Sequence, residues 1–142
     1  FARIGYLCCR AKASIVAHDE MDTGARRALN FGHTFAHAIE KRYNYKTYNH
    51  GEAVAIGMVM ALAVGASLGI TAAGAVRDVT RAIAAAGLTA ELGIPEAELV
   101  PLMMGDKKNS RGTITLILLK KIGEPIVYDI EPDKLARILE RL

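Results

Sequence analysis

At 142 residues the chain has the length of one domain with a real core, and its 51% apolar but only 6% aromatic content points to helices packed through Ala, Leu, Ile and Val. A formal net charge of +3, with no basic tract and no aromatic ladder, excludes a nucleic-acid binder and suits a small anionic ligand. Cys8 and Cys9 are adjacent and make no disulfide framework, and no signal-peptide pattern is present, so a cytoplasmic protein with reduced thiols is expected.

Phe1 to Ala17 reads as a helix bearing Arg3, Arg10 and Lys12, and His18 after it reads as a surface histidine. Asp19 to Thr23 is an acidic turn, and Asp22 or Thr23 suits the N-cap of the next helix. That helix is expected to run to Tyr43–Asn44. Ala28, Phe31, Phe35 and Ile39 recur at helical spacing along one face. Arg26, Asn30, His33, His37 and Glu40 share another. A wet helix face ordinarily carries Lys and Glu, whereas this one carries groups that bind metals and anions.

A loop from Tyr45 to Asn49 leads to His50-Gly51-Glu52 and a second helix with His50 at its N-terminus. The positive end of the helix dipole disfavours imidazolium there, and a neutral imidazole is what a metal needs. Two histidines four apart on a helix, with a third at a helix start, allow a metal site. Helix-packing histidines are the other reading of the same spacing. The segment HTFAH lacks the Glu of the HExxH motif, so zinc-protease chemistry is not indicated.

Ala53 to Val76 contains no charged residue. Its length would suit a membrane span, but Gly57, Gly65, Gly69 and Gly74 interrupt it and no basic flank marks a cytoplasmic side. A buried central helix from Gly51 to Leu68 and a turn at Gly69 are expected, and no membrane. Thr71 then starts a helix to Ala86, with Val76, Val79 and Ile83 inward and Gly87 as its C′ stop. Pro95 opens a helix over Glu96 to Met104. Asp106 to Gly112 is a polar loop. Thr113–Leu119 and Ile126–Ile130 are β-branched and apolar and read as a hairpin joined by Lys120 to Pro125. Pro132 opens a last helix, Asp133 to Leu142, with Leu135, Ile138 and Leu139 inward. The fold class expected is mainly α, multi-helical, with one small β-hairpin near Thr113–Ile130, in a single domain over residues 1–142.

DEMDTGARRALNFGHTFAHAIE, followed by HGEAVAIGMVMA, closely resembles the C-terminal domain of the 3-dehydroquinate synthase family, within the sugar phosphate cyclases. The family pattern is met at Lys12, Ala13, Val16, Asp19, Glu20, Gly24, Arg26, Leu29, Asn30, Gly32, His33, Thr34, His37, Ala38, Ile39 and Glu40. It is met again at His50 to Val54, Gly57 and Met58, then at Gly87-Leu88, Asp106-Lys107-Lys108 and Gly112. Ala36 stands where the family usually has Gly, and Asp22 where it has Glu. The family's enzymes are longer. No glycine-rich strand-to-helix turn for a dinucleotide occurs here, so their N-terminal NAD-binding domain is expected to lie outside this chain.

The resemblance implies the helical fold shared with iron-dependent alcohol dehydrogenases, and an activity. That activity is conversion of 3-deoxy-D-arabino-heptulosonate 7-phosphate to 3-dehydroquinate and phosphate, with NAD and Zn²⁺ or Co²⁺, in a homodimer of the full-length enzyme. It implies His33 and His50 as metal ligands, and His37 as a substrate-side histidine rather than a ligand. It implies Arg26, Asn30, Lys12 and one of Lys107 and Lys108 as contacts to the sugar phosphate. Glu52 is a candidate to orient a ligand histidine. Another sugar phosphate cyclase, an iron- or zinc-dependent polyol dehydrogenase, and a standalone metal-binding or dimerisation module are the alternatives.

Overall fold

The computed structural model describes residues 2–19, 25–89, 91–104 and 112–142, and the chain divides into two compact units, 1–30 and 31–142. The first unit holds helix α1, Ala2–His18, and a 3₁₀ helix, Ala25–Asn30. No residue of α1 is buried, and Ile4, Tyr6 and Leu7 are exposed. The Arg10 guanidinium lies 5.7 Å from the centre of the Tyr6 ring, one helical turn away. The Arg26 backbone N–H donates to the Asp19 carboxylate at 3.0 Å.

The second unit is built around α3, His50–Ser67. Helix α2, His33–Arg42, crosses it, and α4, Ala73–Ala85, follows it. A 3₁₀ turn, Glu96–Leu99, leads into the short α5, Val100–Met103. Strands β1, Ile114–Lys121, and β2, Glu124–Ile130, form an antiparallel hairpin, and α6, Pro132–Leu139, closes the chain. The architecture is the mainly α one with a single hairpin that the sequence predicts.

Helix α3 starts at a capping box. The Asn49 side chain accepts from the Glu52 N–H at 3.0 Å, and the Glu52 carboxylate accepts from the Asn49 N–H at 2.9 Å. It is the described helix long and apolar enough to cross a membrane, and its apolarity is accounted for by the core. Ala53, Ile56, Met60, Ala61, Leu62 and Val64 are buried, and α2 answers with Phe35, Ala36, Ala38 and Ile39. Burying a side chain such as Phe35 or Ile39 contributes about 1.5–3 kcal/mol.

The expected long helix through Arg26 and His33 is broken. Residues 25–30 are 3₁₀, Gly32 adopts φ 80°, and α2 begins only at His33. The cause is a close crossing. A Cβ on Gly32 would lie 2.7 Å from the Met58 nitrogen, and a Cβ on Gly57 would overlap the Gly32 carbonyl. Two backbones meet where a continuous helix would need more room. The proposed caps Asp22 and Thr23 lie outside the described residues.

Thr71 does not cap α4, whose N-cap is Ala72. Its buried hydroxyl donates instead to the Leu119 carbonyl at 2.6 Å, and the Ala72 N–H donates to Lys120 at 2.9 Å. Leu119 lies opposite Pro125, which carries no N–H, and so the turn after α3 is tied to β1. The strands run further than expected and meet in a tight turn at Ile122-Gly123. Leu135 and Leu139 of α6 are buried in the same continuous core as the hairpin's Ile114, Leu116 and Leu118.

Candidate metal and substrate site

Three of the four histidines come together where the start of α2 meets the start of α3. His33 is the first residue of α2 and His50 the first of α3. Their ring centroids are 5.4 Å apart, and His37, one turn along α2, lies 5.9 Å from His33 with its ring nearly perpendicular. His33 is half-buried, while His37 and His50 are exposed.

Each of the two helix-start histidines has one ring nitrogen engaged. His33 Nδ1 lies 3.3 Å from the Phe31 carbonyl, across the Gly32 turn. A carbonyl only accepts, so Nδ1 carries the proton. His50 Nδ1 lies 2.8 Å from Glu40 Oε1, and the carboxylate likewise accepts. In its neutral form each ring so held leaves Nε2 as the free lone pair, the form in which imidazole binds zinc. Burial lowers the His33 pKa below its ordinary value, and the neighbouring His50 and His37 push it the same way, against the Phe31 bond and Glu40. A neutral imidazole is the result.

The donor chemistry fits a zinc or cobalt ion at His33 and His50. Among the described residues no group of three His, Cys, Asp or Glu side chains forms a complete ligand set. Glu52, the candidate to orient a ligand histidine, is engaged in the Asn49 cap. The carboxylate that meets a helix-start histidine is that of Glu40, at His50. Glu40 stands on the His33–His37 face of the sequence, seven residues after His33, but nothing in that spacing says that it reaches α3.

The remaining predicted residues are placed as follows. Lys12 is exposed on α1, and Arg26 and Asn30 lie half-buried in the 3₁₀ helix; all three belong to the first unit. Lys107 and Lys108 lie outside the described residues. Thr34, between the two α2 histidines, donates its hydroxyl to the Thr115 carbonyl at 3.0 Å and pins α2 to β1.

Residues 2–109 match the family described as 3-dehydroquinate synthase C-terminal. The 3-dehydroquinate synthase of Nitrobacter winogradskyi is 46% identical over 146 residues, covering 94% of this chain and 38% of its own length. That of Clostridium perfringens is 43% identical over 125 residues, covering 87% of this chain and 36% of its own. The chain thus spans well under half the length of the curated relatives it matches. Among solved structures, a 2-deoxy-scyllo-inosose synthase complexed with carbaglucose-6-phosphate, NAD+ and Co2+ superposes with a TM-score of 0.78 at 20% identity, covering 96% of this chain and 39% of that one. The 2-epi-5-epi-valiolone synthase ValA of Streptomyces hygroscopicus, with NAD+ and Zn2+ bound, gives 0.71 at 20% identity, covering 89% and 35%. At that identity the likeness is one of fold. The family match takes in both histidine segments and most of the second unit, and the chain belongs to the 3-dehydroquinate synthase C-terminal family.

Proposed function

We propose that the chain is the metal- and substrate-binding part of a 3-dehydroquinate synthase, a cytoplasmic lyase that converts 3-deoxy-D-arabino-heptulosonate 7-phosphate to 3-dehydroquinate and phosphate in the shikimate pathway. The observation that carries this reading is the pair His33 and His50, their rings 5.4 Å apart and each engaged through Nδ1. It occurs in a chain 41–46% identical to relatives of that name. The full-length protein would be a homodimer whose NAD is held mainly by a domain outside this chain. A single domain over 1–142 would supply the metal and substrate groups.

His33 and His50 would hold Zn²⁺ or Co²⁺. When bound, the ion polarises and orients the ring hydroxyl that NAD oxidises and later restores. His37 is exposed beside His33 and carries protons at the substrate's hydroxyl groups. The planar guanidinium of Arg26 suits the substrate carboxylate. Lys12, Asn30 and one of Lys107 and Lys108 serve as further contacts, the lysines as point charges for the phosphate that leaves. None of these groups performs redox chemistry; they bind, orient and move protons.

The test is phosphate release from the heptulosonate phosphate with NAD and zinc, in the full-length protein. Release with dehydroquinate formed supports the reading. Turnover of heptulose or glucose phosphates in its place would assign another cyclase reaction. His33→Ala or His50→Ala should strip zinc, whereas His37→Ala should keep zinc and lose turnover by about 10²–10⁴-fold. Zinc retained in His50→Ala would sink the ligand assignment.

A further inference from the structure

We infer that Glu40 is the positioning residue of the metal site, holding His50 with Nε2 turned toward the ion it shares with His33. The inference rests on the reading of His33 and His50 as ligands, and adds to it a residue that touches neither metal nor substrate.

The need for such a residue is visible in the burial. The His50 side chain is 60% exposed at the first residue of its helix, so packing does little to fix its rotamer or its tautomer. The Glu40 side chain is only 11% exposed and comes from the facing helix. Its oxygen meets His50 Nδ1 at 2.8 Å, a charge-assisted distance. Glu40 also lies two helical turns from His33, on the face that bears His33 and His37. One helix thus supplies one ligand directly and the orienting group of the other. His33 needs no carboxylate, because the Phe31 carbonyl fixes its Nδ1 proton.

The rival role is a strut between α2 and α3. That work is done elsewhere, at the Gly32–Gly57 crossing and through buried Phe35, Ile39 and Ile56. An ion pair with one partner exposed adds little to it.

The experiment uses the full-length protein with histidine labelled in ¹⁵N. In the metal-free parent, His50 should read as the Nδ1–H tautomer, and in Glu40→Ala it should move toward the Nε2–H form. Zn²⁺ titrated into Glu40→Ala should bind about 10–100-fold more weakly than into the parent, with the thermal midpoint unchanged. Glu40→Gln keeps an oxygen acceptor and should fall between the two. Zinc affinity in Glu40→Ala within twofold of the parent overturns the inference. Loss of zinc in His50→Ala with none in Glu40→Ala defeats this inference alone. Zinc retained in His50→Ala defeats the ligand reading, and the tautomer measurement then still decides whether Glu40 orients the ring.

Discussion

Helices α2 and α3 both begin on a histidine, yet their two starts are built differently. The start of α3 is local. Asn49 and Glu52 exchange two hydrogen bonds within four consecutive residues, and His50 sits between them. The start of α2 has no side-chain cap at all. Gly32 turns left-handed because α3 lies against it, and His33 follows from that contact. One histidine position is thus written in neighbouring residues and the other in tertiary packing. Changes to α3 therefore reach both histidines, while changes to the Asn49 cap reach mainly one.

The largest effect should come from Gly57→Ala. In an isolated helix the extra methyl would stabilise by about 1 kcal/mol. Here it would overlap the Gly32 carbonyl, a backbone atom that cannot turn aside. Overpacking of this kind outweighs the propensity gain, and a net loss of about 3 kcal/mol is expected in denaturant unfolding. Gly32→Ala should lose a similar amount, because its φ of 80° strains any side chain and its Cβ would press on Met58. Loss below about 1 kcal/mol in both variants would mean that α2 and α3 re-space freely, and the contrast between the two starts would fail.

Asn49→Ala should be milder. It removes one half of the capping box and should cost about 1 kcal/mol, with Asn49→Ser recovering most of it. The ¹⁵N signals of the His33 ring should stay where they are, since the Phe31 bond and the Gly32 turn do not depend on the cap. A shift of His33 as large as that of His50 would show the two starts to be one cooperative element.

The same division decides what the sequence could tell. The uncharged run from Ala53 located α3, apolar spacing located α4 and α6, the β-branched apolar segments after Gly112 located the hairpin, and the two histidine segments identified the family, because each of these signals lies within a short window. The break at Gly32 stayed hidden: the spacing of Ala28, Phe31, Phe35 and Ile39 suits an unbroken helix, and what breaks it is Met58 on another element. Glu52 was the candidate to orient a ligand histidine, but its place three residues after Asn49 engages it in the cap. Glu40 is ten residues distant from His50, and only the crossing of α2 over α3 brings it to the ring. Thr71 was misplaced for the same reason, its hydroxyl answering a carbonyl 48 residues later rather than its own helix.

The smallest effect concerns protonation of the metal-free protein. Burial lowers the His33 pKa in the folded state below the 6.5 of the unfolded chain. Between the two values the unfolded chain binds more protons than the folded one, so stability rises with pH there. The neutral-ring advantage is fully present above about pH 6.5 and is lost as pH falls through the lower folded value. Thermal midpoints of the metal-free parent should therefore drop between about pH 7.5 and about pH 5, and those of His33→Gln should drop less. Glutamine can still donate to the Phe31 carbonyl but has no proton to gain, so the difference between the two slopes isolates the ring. Equal slopes would mean that the start of α2 opens enough to hydrate His33 whenever the metal is absent. That would mean that packing against α3 does not hold the His33 ring in place.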